Sequence, residues 1–224
     1  MTDFAKLKQS ILKGKKNDTV AMVQAAIDAG ESASELIDKG MIPAMREIGD
    51  KFSSGEAYVP ELLVAARAMN SGLALIEPIL AASGRQPKGV ICIGTVKGDL
   101  HDIGKNLVAI MLRGADYKVI DLGVNCDIAK FDEGVAQGAT IVACSALLTT
   151  TMPYMKEVVE HYKGTGVKVI IGGAAVSREF AESIGADGFS SDANEAVKLV
   201  DSLIASPPSV VLMAYGQWLM VYGL

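Results

Sequence analysis

Half of the 224 residues are hydrophobic, only 5% are aromatic, 23 are glycine, and the formal net charge is −5. That length builds one large domain or two small ones able to fold without staples, and the acidic balance excludes a general nucleic-acid binder. The cysteines at 92, 126 and 144 lack Cys-x-x-Cys spacing and the N-terminus is polar, so no secretory signal is read and a reducing cytoplasm is the expected location. Cys92 and Cys144 fall in apolar runs and read as reduced core residues, whereas Cys126 lies in a predicted loop and is expected to be accessible.

Residues 1–84 carry only helical patterns. Phe4, Leu7, Ile11 and Leu12 keep one helical spacing, and Val20, Val23, Ala26 and Ile27 keep another behind Asp18, the expected N-cap. Ser32 or Ser34 opens a longer helix through Leu36, Ile37, Ile42, Met45 and Ile48, broken near Ser53-Ser54-Gly55. Pro60 sits in the first turn of a helix to about Ala82, with Leu62, Leu63, Ala66, Met69, Leu73 and Ile76 inward. Four helices with short connections predict an antiparallel four-helix bundle. The lysines at 6, 8, 13, 15 and 16 read as solvated helix faces, and the methionines at 41, 45, 69 and 111 as core.

The polar linker Ser83-Gly84-Arg85-Gln86-Pro87 follows, and the period changes from Lys88 onward. Strand-like runs at 90–96, 117–121, 139–144 and 167–171, with a short fifth near Gly188-Phe189, alternate with helical stretches near 104–115, 127–137, 151–163, 176–184 and 193–205. Regular alternation predicts an α/β unit, a flavodoxin-like doubly wound five-stranded parallel sheet in the order 2-1-3-4-5. The expected division is a helical domain over 1–84, an α/β domain over 88–206 and a tail over 207–224. The stretch 209–224 holds the only Trp and is short for a bilayer span. A docking strand, a partner contact and an appended extension all stay open for it.

Ligands of such sheets bind beyond the carboxyl ends of the strands, at the switch point between strands 1 and 3. Strand 1 feeds Gly98-Asp99-Leu100-His101-Asp102-Ile103-Gly104, which puts one of only two histidines on that rim. A neutral imidazole ligates a metal through one nitrogen while an acceptor on the other fixes the ring, and Asp99 is the candidate acceptor. Gly98 and Gly104 allow a tight turn and the close approach of a large ligand. Strand 3 ends in Ser145-Ala146-Leu147-Leu148-Thr149 and strand 4 in Gly172-Gly173-Ala174, so a histidine, two hydroxyls and a bare glycine wall share one rim. Taken alone, His101 also fits a helix cap or a surface position, and the glycine pair a strand-ending turn. His161, beside Glu160 late in a polar helix, reads as solvated. Gly98 to Gly104 lacks both the Gly-x-Gly-x-x-Gly and the Gly-Lys-Ser/Thr phosphate signatures.

At these residues the chain resembles the cobalamin-binding module of methionine synthase and the small corrinoid proteins of methyltransferase systems. The family pattern D-x-H-x-x-G, then S-x-L, then G-G stands here as Asp99, His101 and Gly104, then Ser145 and Leu147, then Gly172-Gly173. Upstream, Gly49-Asp50-Lys51-Phe52, Gly55 and Tyr58-Val59-Pro60-Glu61 resemble the helical domain that precedes this module. The resemblance implies a cobalamin bound with its lower base displaced and His101 Nε2 on cobalt. It implies a site that takes in Gly98, Asp102, Ile103 and Gly104, and a slot for the nucleotide tail lined by Ser145, Leu147, Thr149, Gly172 and Gly173. It also implies a relay in which Asp99 accepts the other His101 proton. Thr151 stands where methionine synthase has the serine that completes that relay. Tyr58, with Leu62 nearby, is the implied cap over the upper face.

The function this implies is that of a methyl-carrier corrinoid protein, a subunit rather than a complete enzyme. Cobalt(I) would take a methyl group from a donor activated by a substrate:corrinoid methyltransferase and yield it to a methylcorrinoid:acceptor methyltransferase. A reductive activase is the third implied partner; no nucleic acid and no membrane span are expected. Methylamines, methoxylated aromatics, methanol and betaines remain open as donors, tetrahydrofolate or a thiol coenzyme as acceptor. The alternatives are a cobalamin-dependent sensor or regulatory module, and the cobalamin subunit of a carbon-skeleton mutase.

Overall fold

The helical periodicity of the N-terminal part produces α1 (Phe4–Leu12), α2 (Lys16–Asp28), a helix that runs as α3 (Ala33–Glu35), a π-helical stretch (Leu36–Met41) and α4 (Ile42–Ser53), and the long α5 (Val59–Ala82). A computed structural model describes residues 2–205 of the chain; Pro207-Pro208 and the apolar stretch 209–224 lie outside the described residues. Together these helices form the expected four-helix bundle. Ser32 caps α3 by accepting the Glu35 N–H. The wide π turn ends just before Pro43, whose ring in a regular α-helix would strike the carbonyl four residues back.

Two expectations in this part change. Gly14 (φ +63°) ends the first turn-out, so α2 starts at Lys16 and Asp18 lies inside its first turn, paired to Lys15, rather than capping it. Leu63 is 43% exposed, because the inward stripe of α5 runs through Leu62, Ala65, Ala66, Met69 and Ile76. That helix is long and apolar enough to cross a membrane by length and composition, but the same residues are the ones that fill the bundle core.

From residue 90 onward the chain alternates: β1 (Val90–Thr95), α6 (Ile103–Gly114), β2 (Lys118–Asp121), α7 (Ile128–Ala136), β3 (Ile141–Ser145), α8 (Pro153–Tyr162), β4 (Lys168–Gly172), α9 (Arg178–Ile184), β5 (Gly188–Ser190) and α10 (Ala193–Ala205). The strands are all parallel in the order β2-β1-β3-β4-β5. Successive side chains go to opposite faces. Ile91, Ile93, Ile141, Ala143 and Ile170 meet α6, α10 and the helical bundle in one continuous core. Cys92, Val142, Cys144, Val169 and Ile171 pack on the other side with Phe131, Met155, Val158 and Ala181 from α7, α8 and α9.

The register aligns Thr95, Ser145, Gly172 and Ser190 in one row across the carboxyl rim. Gly173 (φ +125°) is required beyond its backbone angle, since a Cβ there would run into the Ala146 carbonyl of the neighbouring strand end. The rim glycines therefore serve first to let two backbones approach. Cys126 is fully buried, against the expected accessibility, because it bridges to Val96 beside the sheet. Burial pushes its thiol up, and does the same to Cys92, to about 12; all three cysteines are free and buried.

Beside the apolar core they share, the bundle and the sheet part also meet along a polar seam. On α4, Arg46 pairs with Asp201, Asp50 with Asn194 and Lys198, and Ser53 with Asp192, all on or just before α10. Below it, Arg85 bridges Asp38 and Asp116 at 2.8 Å each.

Lys105 is buried at the start of α6, and its Nζ contacts Asp121 Oδ1 at 2.5 Å and Asn106 Oδ1 at 2.8 Å. Burial works against the Asp121 carboxylate, but the ammonium and the Gly123 N–H hold it below the usual range. A depressed folded-state value stabilises above the unfolded one, near 3.9, and is lost as pH falls through it. Asp121→Asn should therefore cost about 2 kcal/mol near pH 7, somewhat below a fully buried pair, and progressively less below about pH 4, as urea unfolding at the two pH values will report. Gly173→Ala should cost about 3 kcal/mol, since it adds a steric collision to backbone strain. Gly138→Ala, at φ +95° with open space around it, should cost about 1 kcal/mol.

Candidate functional site

Asp99 is fully buried at the end of β1. Its Oδ1 accepts from the His101 backbone N–H at 3.1 Å and stands 2.7 Å from His101 Nδ1. Its Oδ2 accepts from the N–H groups of Leu147 and Leu148 at 2.8 and 3.2 Å and from the Thr151 hydroxyl at 2.8 Å. Burial by itself would raise this carboxyl. The hydrogen bonds from the His101 ring and backbone, Leu147 and Thr151 outweigh it and hold the group well below the ordinary carboxylate range.

The geometry orients the ring. Asp99 accepts from backbone N–H groups on both oxygens, so it faces His101 Nδ1 as an acceptor and Nδ1 carries the shared proton, which leaves Nε2 as the nitrogen able to ligate. The His101 side chain is 51% exposed, so Nε2 is accessible. Thr151 does reach: a branched side chain completes the His101–Asp99–hydroxyl series. Its one proton lies between Asp99 Oδ2 and the Leu148 carbonyl, both at 2.8 Å, and the charged acceptor is the stronger.

Around the ring stand large apolar side chains in water: Leu100 (71% exposed), Ile103 (77%), Leu147 and Leu148 (42% each). Beside them, on the face shared with the bundle, a cavity of about 270 Å³ runs between α6, α10 and the strand ends. Ser145, Gly104, Gly172 and Gly173 line it, together with Ser190 and Phe52 of α4. Leu147 and Thr149 stand outside that cavity: Leu147 contributes its N–H to Asp99, and Thr149 is exposed. Asp102 precedes α6 and accepts from Asn106. Tyr58 is exposed at the start of α5 and its N–H donates to Glu61, whereas Leu62 is fully buried in the bundle and presents nothing to a ligand. His161 is not simply solvated, for its Nε2 pairs with Asp132 at 2.9 Å.

These residues fit a corrinoid: a free imidazole nitrogen for cobalt, an apolar collar for a flat macrocycle, and a narrow apolar slot for an appended tail. Thr95 and Asn125 are not among the residues singled out from the sequence, and Phe52 enters there only within the stretch that resembles the helical domain. A hydroxyl at the end of an otherwise apolar strand, which must find a partner when buried, is the one signal that pointed to Thr95. Phe52 and Asn125 come to the site only through tertiary packing.

Comparison with known proteins gives the same answer from a different direction. Two family profiles, each described as a B12 binding domain, match residues 89–198 and 4–77. The chain is 41% identical to the trimethylamine corrinoid protein of Methanosarcina barkeri, over 90% of this chain and 96% of that protein. It is 37% identical to a corrinoid protein of Desulfitobacterium hafniense (strain Y51), over 91% and 98%. Among solved structures, the methanol:cobalamin methyltransferase complex MtaBC from Methanosarcina barkeri matches with a TM-score of 0.79 at 31% identity, over 89% of this chain and 78% of that one. The chain belongs to the B12-binding corrinoid proteins of methyltransferase systems, and its cofactor is a corrinoid.

Proposed function

We propose that this chain is a methyl carrier that holds cobalamin base-off, with His101 Nε2 as the lower axial ligand, and shuttles a methyl group between two partner methyltransferases. The observation that carries the reading is the Asp99 carboxylate, buried and ionised, which pins His101 Nδ1 and leaves Nε2 free beside an apolar collar. Bound cobalt supplies the nucleophile that accepts a methyl group and then gives it up. The chain's own residues bind and orient. Asp99 holds the ring, Thr151 and the Leu147 and Leu148 N–H groups hold Asp99, and the cavity between α6 and α10 takes the nucleotide tail. Ser145, Gly172 and Gly173 are the tail residues from the expected set that line it.

The partners in this reading are a substrate:corrinoid methyltransferase, a methylcorrinoid:acceptor methyltransferase and a reductive activase. A methylamine is the favoured donor class, because the trimethylamine corrinoid protein is similar over nearly its full length. The helical domain over 1–84 and the cobalamin domain over 88–206 are the two working units, and the cytoplasm, where buried thiols stay reduced, is the location.

Reconstitution with cobalamin tests the reading. Paramagnetic resonance of the cobalt(II) form should show nitrogen splitting from a histidine in the wild type and none in His101→Ala; splitting that survives the substitution would overturn it. For the groups behind the ring, Thr151→Val should cost about 1–2 kcal/mol of stability through one lost bond to a charged acceptor, with Thr151→Ser within about 0.5 kcal/mol of wild type. Asp99→Asn should slow methyl transfer on the order of tenfold or more, measured with excess partner enzyme; an unchanged rate would remove Asp99 from the mechanism.

A further inference from the structure

Asp99 Oδ1 holds both the His101 ring, at Nδ1, and the His101 backbone N–H, but one oxygen leaves the rest of the loop backbone free to turn. That backbone is held further by two side chains outside the motifs described above. Thr95 is fully buried at the end of β1, and its Oγ1 donates to the His101 carbonyl at 2.8 Å. Asn125, in the loop after β2, accepts the Gly98 N–H on Oδ1 at 2.8 Å, while its own N–H donates to the Asp99 carbonyl at 3.0 Å. Asn125 does this from the left-handed region, φ +52°, facing Gly98 at φ +85°. Asparagine tolerates that backbone better than other side chains. The segment 98–101 is thus tied to the strand beneath it and to the neighbouring loop beside it.

We propose that Thr95 and Asn125 are positioning residues that set the direction of His101 Nε2 by fixing the backbone of residues 98–101. They act on the loop backbone through carbonyl and N–H groups that the Asp99 and Thr151 side chains do not touch. Metal–ligand bonds tolerate only about 0.2 Å of misplacement, so a small rotation of this loop moves Nε2 out of bonding range while the fold is unchanged. The inference rests on His101 being the cobalt ligand.

The test is the ratio of histidine-bound to histidine-free cobalt(II), read from nitrogen splitting in the cobalamin-reconstituted full chain. Thr95→Val keeps the shape and removes the hydroxyl; it should lower the ratio about fivefold, the worth of one hydrogen bond. Thr95→Ser, which keeps the hydroxyl, should restore the wild-type ratio. Asn125→Gly keeps the left-handed backbone on an exposed turn and removes only the acceptor; it should lower the ratio as well, and Asn125→Asp should not. Should Thr95→Val fail to fold, the Asn125 pair decides. A wild-type ratio in both Thr95→Val and Asn125→Gly overturns the proposal. Splitting that is absent in the wild type, or that persists in His101→Ala, instead overturns the ligation on which it rests.

Discussion

One buried carboxylate organises the rim of this sheet. Asp99 accepts five hydrogen bonds, from the His101 ring and backbone, Leu147, Leu148 and Thr151. An unpaired carboxylate in that position would cost several kcal/mol, so the group is tolerable only while both chain segments stay in place. The loop after β1 and the loop after β3 therefore behave as one unit. The same constraint selects the His101 tautomer, since a carboxylate held ionised can receive a proton's hydrogen bond but cannot give one.

Sheet topology explains why those two loops can meet at all. β1 and β3 are neighbours with Thr95 level with Ser145, but the helices that follow them leave toward opposite faces, α6 to the bundle side and α8 to the other. The chain parts at the carboxyl end of this pair and leaves a crevice between its two loops. On the bundle side the crevice deepens into the cavity between α6 and α10, and Phe52 of α4 closes part of its wall. The residues next to Phe52 belong to the seam, with Ser53 on Asp192 and Asp50 on Asn194. The helical part thus does more than lie over the site. It supplies some of the slot's lining, held there by the apolar core it shares with α6 and α10 and by the polar contacts of the seam beside that core.

The legible parts of the fold are those that depend on local pattern. Period-2 and period-3.6 alternation is a property of neighbouring residues, so the strands and most helices could be read directly, and five strands in regular β-α alternation then favoured the order 2-1-3-4-5. Asp99 and His101 lie two positions apart, and their contact was legible for the same reason. What escaped depends on distant backbone. Leu63 and Leu62 are adjacent and equally apolar, and only the bundle's arrangement decides which is buried. Cys126 sits in a loop by pattern, yet a single bridge to Val96 draws it under the sheet. Gly172-Gly173 was expected to leave room for a ligand; both line the cavity, and Gly173 in addition makes room for the Ala146 carbonyl, which no local pattern shows.

Threonine at position 151 illustrates how local chemistry and packing combine. A serine there would have a hydroxyl free to sample three rotamers. Threonine is stiffer about χ1, so fewer orientations compete with the one seen. Oγ1 lies 2.8 Å from Asp99 Oδ2, while Cγ2 stands 3.5 Å from where a Cβ on Gly98 would be, an ordinary contact distance. The branch therefore fits beside the β1 loop without crowding it, and Gly98 is needed there for its φ of +85° rather than for space. The loop that carries the histidine and the hydroxyl that steadies its carboxylate are thus joined through Asp99, by hydrogen bonds to the two oxygens of one carboxylate.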